Sequence, residues 1–469
     1  MTTMVGEIAA TSHAEAFTGP VPAGRSKGWL FPKEHWPSRL PLRGVRVVDM
    51  TIVWAGPFGT MFLGDWGADV IKVESTQHFQ TTSRGNVARP SADFIKHVVG
   101  WRNTYPNDEA GEHPWNRCSL FQNHSRNKKS FTVDLTRPEG KRILEDLVRV
   151  SDVIVDNNVA ETTEKLGLVY EWARKIRPDI IMVRMPAYGL EGEYKNYRSF
   201  GSHVEAVSAH TWLRGYADLD ASGKDEVFVA DASGGMMAAF AVVAALRNRR
   251  RTGRGAFVEL PLVETTTPSY GEVILDYTMN GRVQTTIGNR DPYRAPQGCY
   301  PCKDDDTWVN ISIGSDAEWA RFCRVMGKPS LASDVRYKSP IARFRHHDEL
   351  DKIIEAWTRQ HGHYEAMHTL QKAGVTAGAV INDADAYSDP HLEARRFFQA
   401  VTHADIGTYP LPGVMWKSKR SPNGIRQPSI RLGEHNRYVH SELLGTDAAT
   451  YKRLEREGHI GDAYAPHIP

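Results

Sequence analysis

The chain has 469 residues, enough for two or three domains and a sizeable core. Its 58 Lys and Arg against 56 Asp and Glu leave a net charge of +2, whereas bulk nucleic-acid binding normally shows as a strong basic excess, so none is expected. Four cysteines (Cys118, Cys299, Cys302, Cys323) are too few for a secreted disulfide framework, which makes a reducing cytoplasm the expected location.

Residues 1–40 are rich in Gly, Pro and Ala, contain no apolar signal-peptide core, and end in Trp29, Phe31 and Trp36; they read as an extension laid on the surface. Leu42 to Glu74 is a βαβ unit: Val45, Val47 and Val48 give a strand, Ala55-Gly56-Pro57 a turn with Pro57 suited to the first helical position, and Asp69 to Val73 a second strand. Glu74 lies about where a ribose-binding acid would follow such a turn, but the turn lacks G-x-G-x-x-G, which weakens a dinucleotide-dehydrogenase reading. Gln77 to Asn123 has no clean periodicity, and so long a loop is more often functional than idle. Ser130 to Leu135 is a strand, Thr136 to Glu139 a capping-box pattern, and Asp152–Asp156 and Ile180–Met185 are further strands. This alternation predicts an α/β fold with a parallel sheet covered by helices on both faces.

In VFVADASGGMMAAFAVVAALRNRRRTGRG (Val227 to Gly255) a β-like run ends at Asp231, placed to cap an apolar helix that closes in arginines. Gly234 and Gly235 would let a ligand approach. The longest apolar run, Met236 to Leu246, is far short of the roughly 20 residues that span a bilayer. It is read as a buried helix, and no membrane partner is expected. Arg247, Arg249, Arg250 and Arg251 offset the dipole at the helix C-terminus. Phe257 to Leu260 is another strand, Gly288 to Gly298 a turn-rich loop, Trp308 to Ile313 a strand of a smaller α/β domain, and Phe397 to Trp416 short strands and turns. Cys299 and Cys302 have redox or zinc half-site spacing without a second pair, so they read as ordinary thiols and no metal site is expected. His124 and His203 are candidate acid–base groups.

In this order, LRGVRVVDMTIVWAGPFGTMFLGDWGADVIKVE, NHSRNKKSFTVDLTRPEGKRILEDLVRVSDVIVDN and VADASGGMMAAFAVVAALRNRRRTGRGAFVEL resemble the class III CoA-transferase family, which also contains carnitine-CoA transferases and α-methylacyl-CoA racemases. Weaker support comes from GNRDPYRAPQGCY and AGVTAGAVINDADAYSDPHLEARRFF. The resemblance implies that Asp231 is a carboxylate nucleophile, forming an anhydride with the donor acyl group and then a thioester with CoA. A carboxylate suits this role because its unperturbed pKa of about 4 leaves it ionised at neutral pH. The resemblance further implies CoA contacts at Val53 and Ala55, at Val133, Asn157 and Asn158, and at Lys165 near the phosphates. Trp54 replaces a residue that is often polar, pointing to an altered substrate preference. Ser75 replaces a commonly basic residue, leaving Arg84 or Lys128 to supply that phosphate contact. In the loop at Gly288–Gly298, Arg290 or Arg294 would pair with an acid substrate.

By the same resemblance, CoA and acyl-CoA are substrates and no cofactor is permanently bound. The expected fold is a large Rossmann-like domain plus a smaller α/β domain in an interlocked homodimer, with a heteromer as an option. The corresponding divisions are residues 1–40, 41–265, 266–287 (linker), 288–392 and 393–469. A racemase or isomerase is the first alternative, weakened because Ser199 to His203 lacks the Gly-His-Asp segment of the family's racemases. The second is a subunit without its own turnover in a heteromeric transferase. Trp54, the insertion around Trp101–Trp115 and the aromatic extension point away from simple short dicarboxylates as substrates.

Overall fold

The computed structural model describes residues 40–80, 82–97, 104–224, 227–291, 293–418, 421 and 424–469. Residues 1–39 of the extension expected over 1–40, and Trp101, fall outside them. The described chain divides into two units. The first takes residues 40–198, 231–262 and 399–469; the second takes Ser199–Ala230 and Val263–Phe398.

The first unit is built on six parallel strands: β1 (Arg46–Asp49), β2 (Asp69–Glu74), β3 (Lys129–Thr132), β4 (Val153–Asp156), β5 (Ile181–Arg184) and β6 (Ala256–Glu259). Their order is β3-β2-β1-β4-β5-β6, the doubly wound order of dinucleotide-binding folds. The central strands are buried along nearly their whole length, because helices cover both faces and leave no solvated side for alternation to mark. Val48, Ile71, Phe131 and Ile154 form the core with Leu144 and Leu147 of the helix at Pro138–Arg149. The expected capping box there is absent. Arg137 is the N-cap and makes no side-chain cap, while Thr136 donates from both its backbone N and its hydroxyl to Asp134.

Three helices position the site. Helix α1 (Ala55–Asp65) follows β1, so Pro57 stands at its third position instead of its first. Helix α2 (Ser119–His124) precedes β3. Helix α3 (Val229–Thr252) is continuous over 24 residues. Its length and composition suffice to cross a membrane, contrary to the reading of a short apolar run, because the segments flanking Met236–Leu246 are helical too. The expectation that it is buried holds for Ala238, Ala239, Val242 and Ala245 and fails for Met236, Met237 and Phe240, which are exposed. At its C-terminal end Arg249 pairs with Asp152 and Asp179.

The second unit holds an antiparallel sheet of β7 (Gln297–Pro301), β8 (Trp308–Ser312) and β9 (Thr376–Val380). Val309 and Ile311 of β8 pack into a core with Trp319, Phe322, Leu350 and Ile354. The C-terminal part of the first unit adds the hairpin β10 (Phe398–His403) and β11 (Gly407–Pro412).

Candidate active site

In the strand order the sheet reverses between β1 and β4, and ligands of open α/β sheets bind in the crevice beyond the carboxyl ends of strands at such a point. The loops leaving β1 and β4 meet there. Asn157 staples them: its Oδ1 accepts from Ile52 N at 2.7 Å and its Nδ2 donates to Ile52 O at 2.9 Å. Asn158 Nδ2 donates to Met50 O at 3.3 Å. The two asparagines therefore hold the loop after β1 in shape, a role their spacing in the sequence did not suggest.

Within that loop Val53 has φ of 64°. A β-branched residue in the left-handed region is strained, and such strain persists where surrounding contacts enforce it. Val53 N donates to Ser83 Oγ at 2.8 Å, fixing the conformation. Trp54 then precedes the helix and Ala55 begins it. The Trp54 ring lies 4.6 Å from that of His124 and 4.8 Å from that of Phe58, centroid to centroid. It also packs on the buried cluster of Tyr105, Cys118, Leu120, Phe121 and Ile430.

A buried ionic network supports the loop from below. Asp49, at the end of β1, accepts from Thr51 N at 3.0 Å, from Thr60 Oγ1 at 2.7 Å and from Lys128 Nζ at 3.1 Å. Lys128 also donates to Pro57 O, and Lys72 Nζ to Thr51 O. Burial opposes ionisation of Asp49, but Lys128, Lys72 and the two threonines outweigh it and hold the carboxyl down at about 2. Burial lowers Lys128 to about 8, against the attraction of Asp49.

This corrects the expectation that Arg84 or Lys128 replaces the missing base at Ser75. Lys128 is sealed under the loop, and Arg84 is fully buried. Arg84 Nε and Nη2 donate to Glu74 at 2.6 and 2.8 Å, its Nη1 to Trp115 O and Asn116 Oδ1, and its face covers Phe121. Neither side chain is open to a phosphate.

Asp231 is 7% exposed and lies in the first turn of α3. The strand expected before it does not form. Val227 and Phe228 are non-helical, Phe228 has φ of 54°, and the helix starts at Val229. One turn on, on the same face, is Gly235. A Cβ on Gly235 would stand 2.6 Å from Ala55 O and 3.1 Å from Gly59 N; one on Gly59 would stand 2.7 Å from Gly235 O. Gly235 thus admits helix α1, where the sequence suggested that it admits a ligand. The contact brings the loop after β1 and the first turn of α3 together.

The remaining candidates are dispersed. Val133 is buried just beyond β3, its N donating to Glu74 O at 2.8 Å. Lys165 is a surface residue paired with Glu161. In the second unit Arg290 is already engaged by Asp348 and Asp351 at 2.6 and 2.7 Å, so its charge is not free for a substrate. Arg294 is exposed, and among the described residues no carboxylate pairs with it. His124 is buried, among the described residues both its ring nitrogens are without hydrogen-bond partners, and burial followed by Lys128 and Arg126 drives its pKa down to about 3. It packs as a neutral ring. His203 is exposed and accepts from Phe200 N through Nδ1 at 3.2 Å, a helix-start contact.

Sequence reasoning missed Glu205, which is completely buried. Its carboxylate accepts from Ala230 N, His210 Nδ1 and Arg214 Nη2, each at 3.4 Å, and so anchors the start of α3. Only its burial distinguishes it from a surface helix acid. All four cysteines are free thiols, and burial pushes Cys302 up to about 11. Among the described residues Glu139, Glu457 and His459 come close enough to share an ion, but Arg453 already pairs with both carboxylates.

A doubly wound sheet with a strained, stapled loop at its switch point, facing an acidic helix start, defines a ligand-binding α/β enzyme core. Residues 42–436 match the model of CoA-transferase family III, and the chain belongs to that family. It is 31% identical to succinyl-CoA–D-citramalate CoA-transferase of Chloroflexus aurantiacus over 86% of this chain and 94% of the relative. It is 32% identical to the beta subunit of that organism's succinyl-CoA–L-malate CoA-transferase over 87% and 95%. Among solved structures, a CaiB/BaiF family protein from Brucella suis superposes with a TM-score of 0.73 at 26% identity, covering 86% of this chain and all of that one. The chain is therefore a CoA-transferase by family, and CoA thioesters are its class of substrate.

Proposed function

We propose that this enzyme moves CoA from succinyl-CoA to a dicarboxylic acid, with Asp231 as the covalent carrier. The observation that carries the reading is the packing of Gly235 on Ala55 and Gly59, one turn beyond Asp231, which sets a buried carboxylate beside the loop at the switch point. Asp231 attacks the donor thioester carbonyl and expels CoA thiolate, giving a mixed anhydride. The thiolate attacks the aspartyl carbonyl, releasing the donor acid and leaving an aspartyl–CoA thioester. The acceptor carboxylate then reverses these steps, and Asp231 is regenerated. The positive end of the α3 helix dipole suits the oxyanions that develop beside Asp231.

The loop Val53–Ala55 and the segments at Val133 and Asn157–Asn158 border the CoA crevice, Lys165 offers a surface charge to the phosphates, and Trp54 lines the acyl side. The family resemblance assigns the second carboxylate to an arginine of the loop at Gly288–Gly298, and of the two only Arg294 has no carboxylate paired with it among the described residues. Relatives named for citramalate, malate and glutarate support short dicarboxylates, against the expectation from Trp54, the insertion and the extension of a substrate unlike them. Succinyl-CoA incubated with malate, glutarate and citramalate, read by mass spectrometry, should yield a new acyl-CoA with at least one; no transfer to any dicarboxylic acid would sink the substrate reading.

The exposed Met236, Met237 and Phe240 on α3 support burial against a second subunit, for which we favour an interlocked homodimer. A heteromer is the second reading, carried by relatives named as alpha and beta subunits. Native mass spectrometry of the chain expressed alone separates the two.

A further inference from the structure

A cavity of about 270 Å³ lies in the first unit between residues 104–122 and the β10–β11 hairpin. None of the residues assigned above to CoA or to acyl transfer lines it. Its walls are largely apolar, including Tyr105, Pro106, Val401, Ile406, Tyr409 and Leu411. Among the polar side chains that interrupt them are Arg117, His403 and Gln122, and the Gln122 amide already donates to Asn116 O.

His403 is 5% exposed. Asp405 N donates to its Nδ1 at 3.1 Å, so Nδ1 is the acceptor and the hydrogen of the neutral ring sits on Nε2. Burial lowers the pKa of the ring and favours that neutral form. Nε2 has no hydrogen-bond partner among the described residues, and a buried donor without an acceptor is costly enough to be rare. Arg117 donates to the backbone carbonyls of Asp405, Pro106 and Glu109. Asp405 turns its carboxylate to Asn116 and His113, and no described carboxylate pairs with Arg117. The cavity therefore combines a positive charge without a paired carboxylate and an apolar wall, with an unused donor buried in the His403 ring that lines it.

We propose that this cavity is a second binding site, for a small monocarboxylic acid with a compact apolar body. The carboxylate would balance Arg117 and draw His403 Nε2 to the cavity surface as its donor, while the body lies on Tyr105, Val401 and Leu411. A neutral apolar molecule would leave the charge uncompensated. A dicarboxylate would carry a second charge into a cavity whose lining, among the described residues, holds no cation besides Arg117, at a desolvation cost. The site is thus distinct in chemistry from the dicarboxylate acceptor proposed above.

The test is calorimetric titration of the full-length protein, saturated with CoA, using 4-methylpentanoate and phenylacetate as probes and their amides as controls. The acids should bind one to one, with the amides and the Arg117→Gln variant each weaker by about tenfold or more, as expected for a lost charged contact. Val401→Trp should fill the cavity and abolish binding, with its thermal unfolding followed in parallel. If Val401→Trp does not fold, the Arg117→Gln and His403→Phe titrations decide. Absence of acid binding, equal binding of acids and amides, or binding unchanged in the folded variants would overturn the proposal.

Discussion

The carbonyl oxygen of Ala55 lies 2.6 Å from the place a side-chain carbon on Gly235 would occupy, so helices α1 and α3 meet there backbone to backbone. That approach sets the spacing between the loop after β1 and the turn carrying Asp231. Gly235→Ala should therefore cost about 1–3 kcal/mol, as overpacking of a tight contact does, and lower the transfer rate more than its stability loss explains. Urea unfolding beside steady-state kinetics checks this.

Much of the fold was legible in the chain. Valine-rich runs at Val47–Val48 and Val153–Val155, each followed by a helical pattern, mark a parallel sheet because burial on both faces removes alternation. The start of α3 was not legible: Val227 and Phe228 are strand-forming types, and only the tertiary anchor at Glu205 shows that the helix begins at Val229. The asparagine staples were hidden for a similar reason. Asn157 meets Ile52 across 105 residues, a contact set by strand order and not by local pattern. Lys128 and Arg84 read as free charges because sequence does not show the carboxylates buried against them.

Lys128 leads to a second prediction. Lys128→Met leaves Asp49 buried without its closest cation and should destabilise the protein by about 3–5 kcal/mol. Adding Asn at position 49 removes the stranded charge and should recover part of the loss. Chemical denaturation of the single and double variants measures the difference.

The buried histidines predict acid sensitivity. Burial holds His124 down to about 3 and His440 to about 4, the latter against a backbone contact at Thr132, and among the described residues the ring nitrogens of His124 have no hydrogen-bond partner. In the unfolded chain each would titrate near 6.5, so the unfolded state binds more protons as pH falls below that value. Their contribution is complete above about pH 6.5 and is lost progressively as pH falls toward the folded values, amounting to about 2 kcal/mol per histidine by pH 5. His124→Phe should flatten that slope in unfolding curves taken from pH 7 to 5.

The two loop arginines should separate. Arg294→Gln is expected to raise the acceptor KM about tenfold with an unchanged thermal midpoint, the signature of a lost carboxylate contact. Arg290→Gln breaks a half-exposed pairing with Asp348 and Asp351 and should cost about 0.5–1 kcal/mol of stability, with little effect on KM. Kinetics over a range of acceptor concentrations and thermal unfolding of both variants distinguish the outcomes.

Asp231 as covalent carrier is tested most directly by trapping. The enzyme is mixed with succinyl-CoA, quenched with hydroxylamine, digested and mapped by mass spectrometry. The account predicts a hydroxamate at Asp231 that forms only with the thioester present, and no transfer by Asp231→Ala. An unmodified Asp231 during turnover, or an Asp231→Ala variant that still transfers CoA at the native rate, would contradict it.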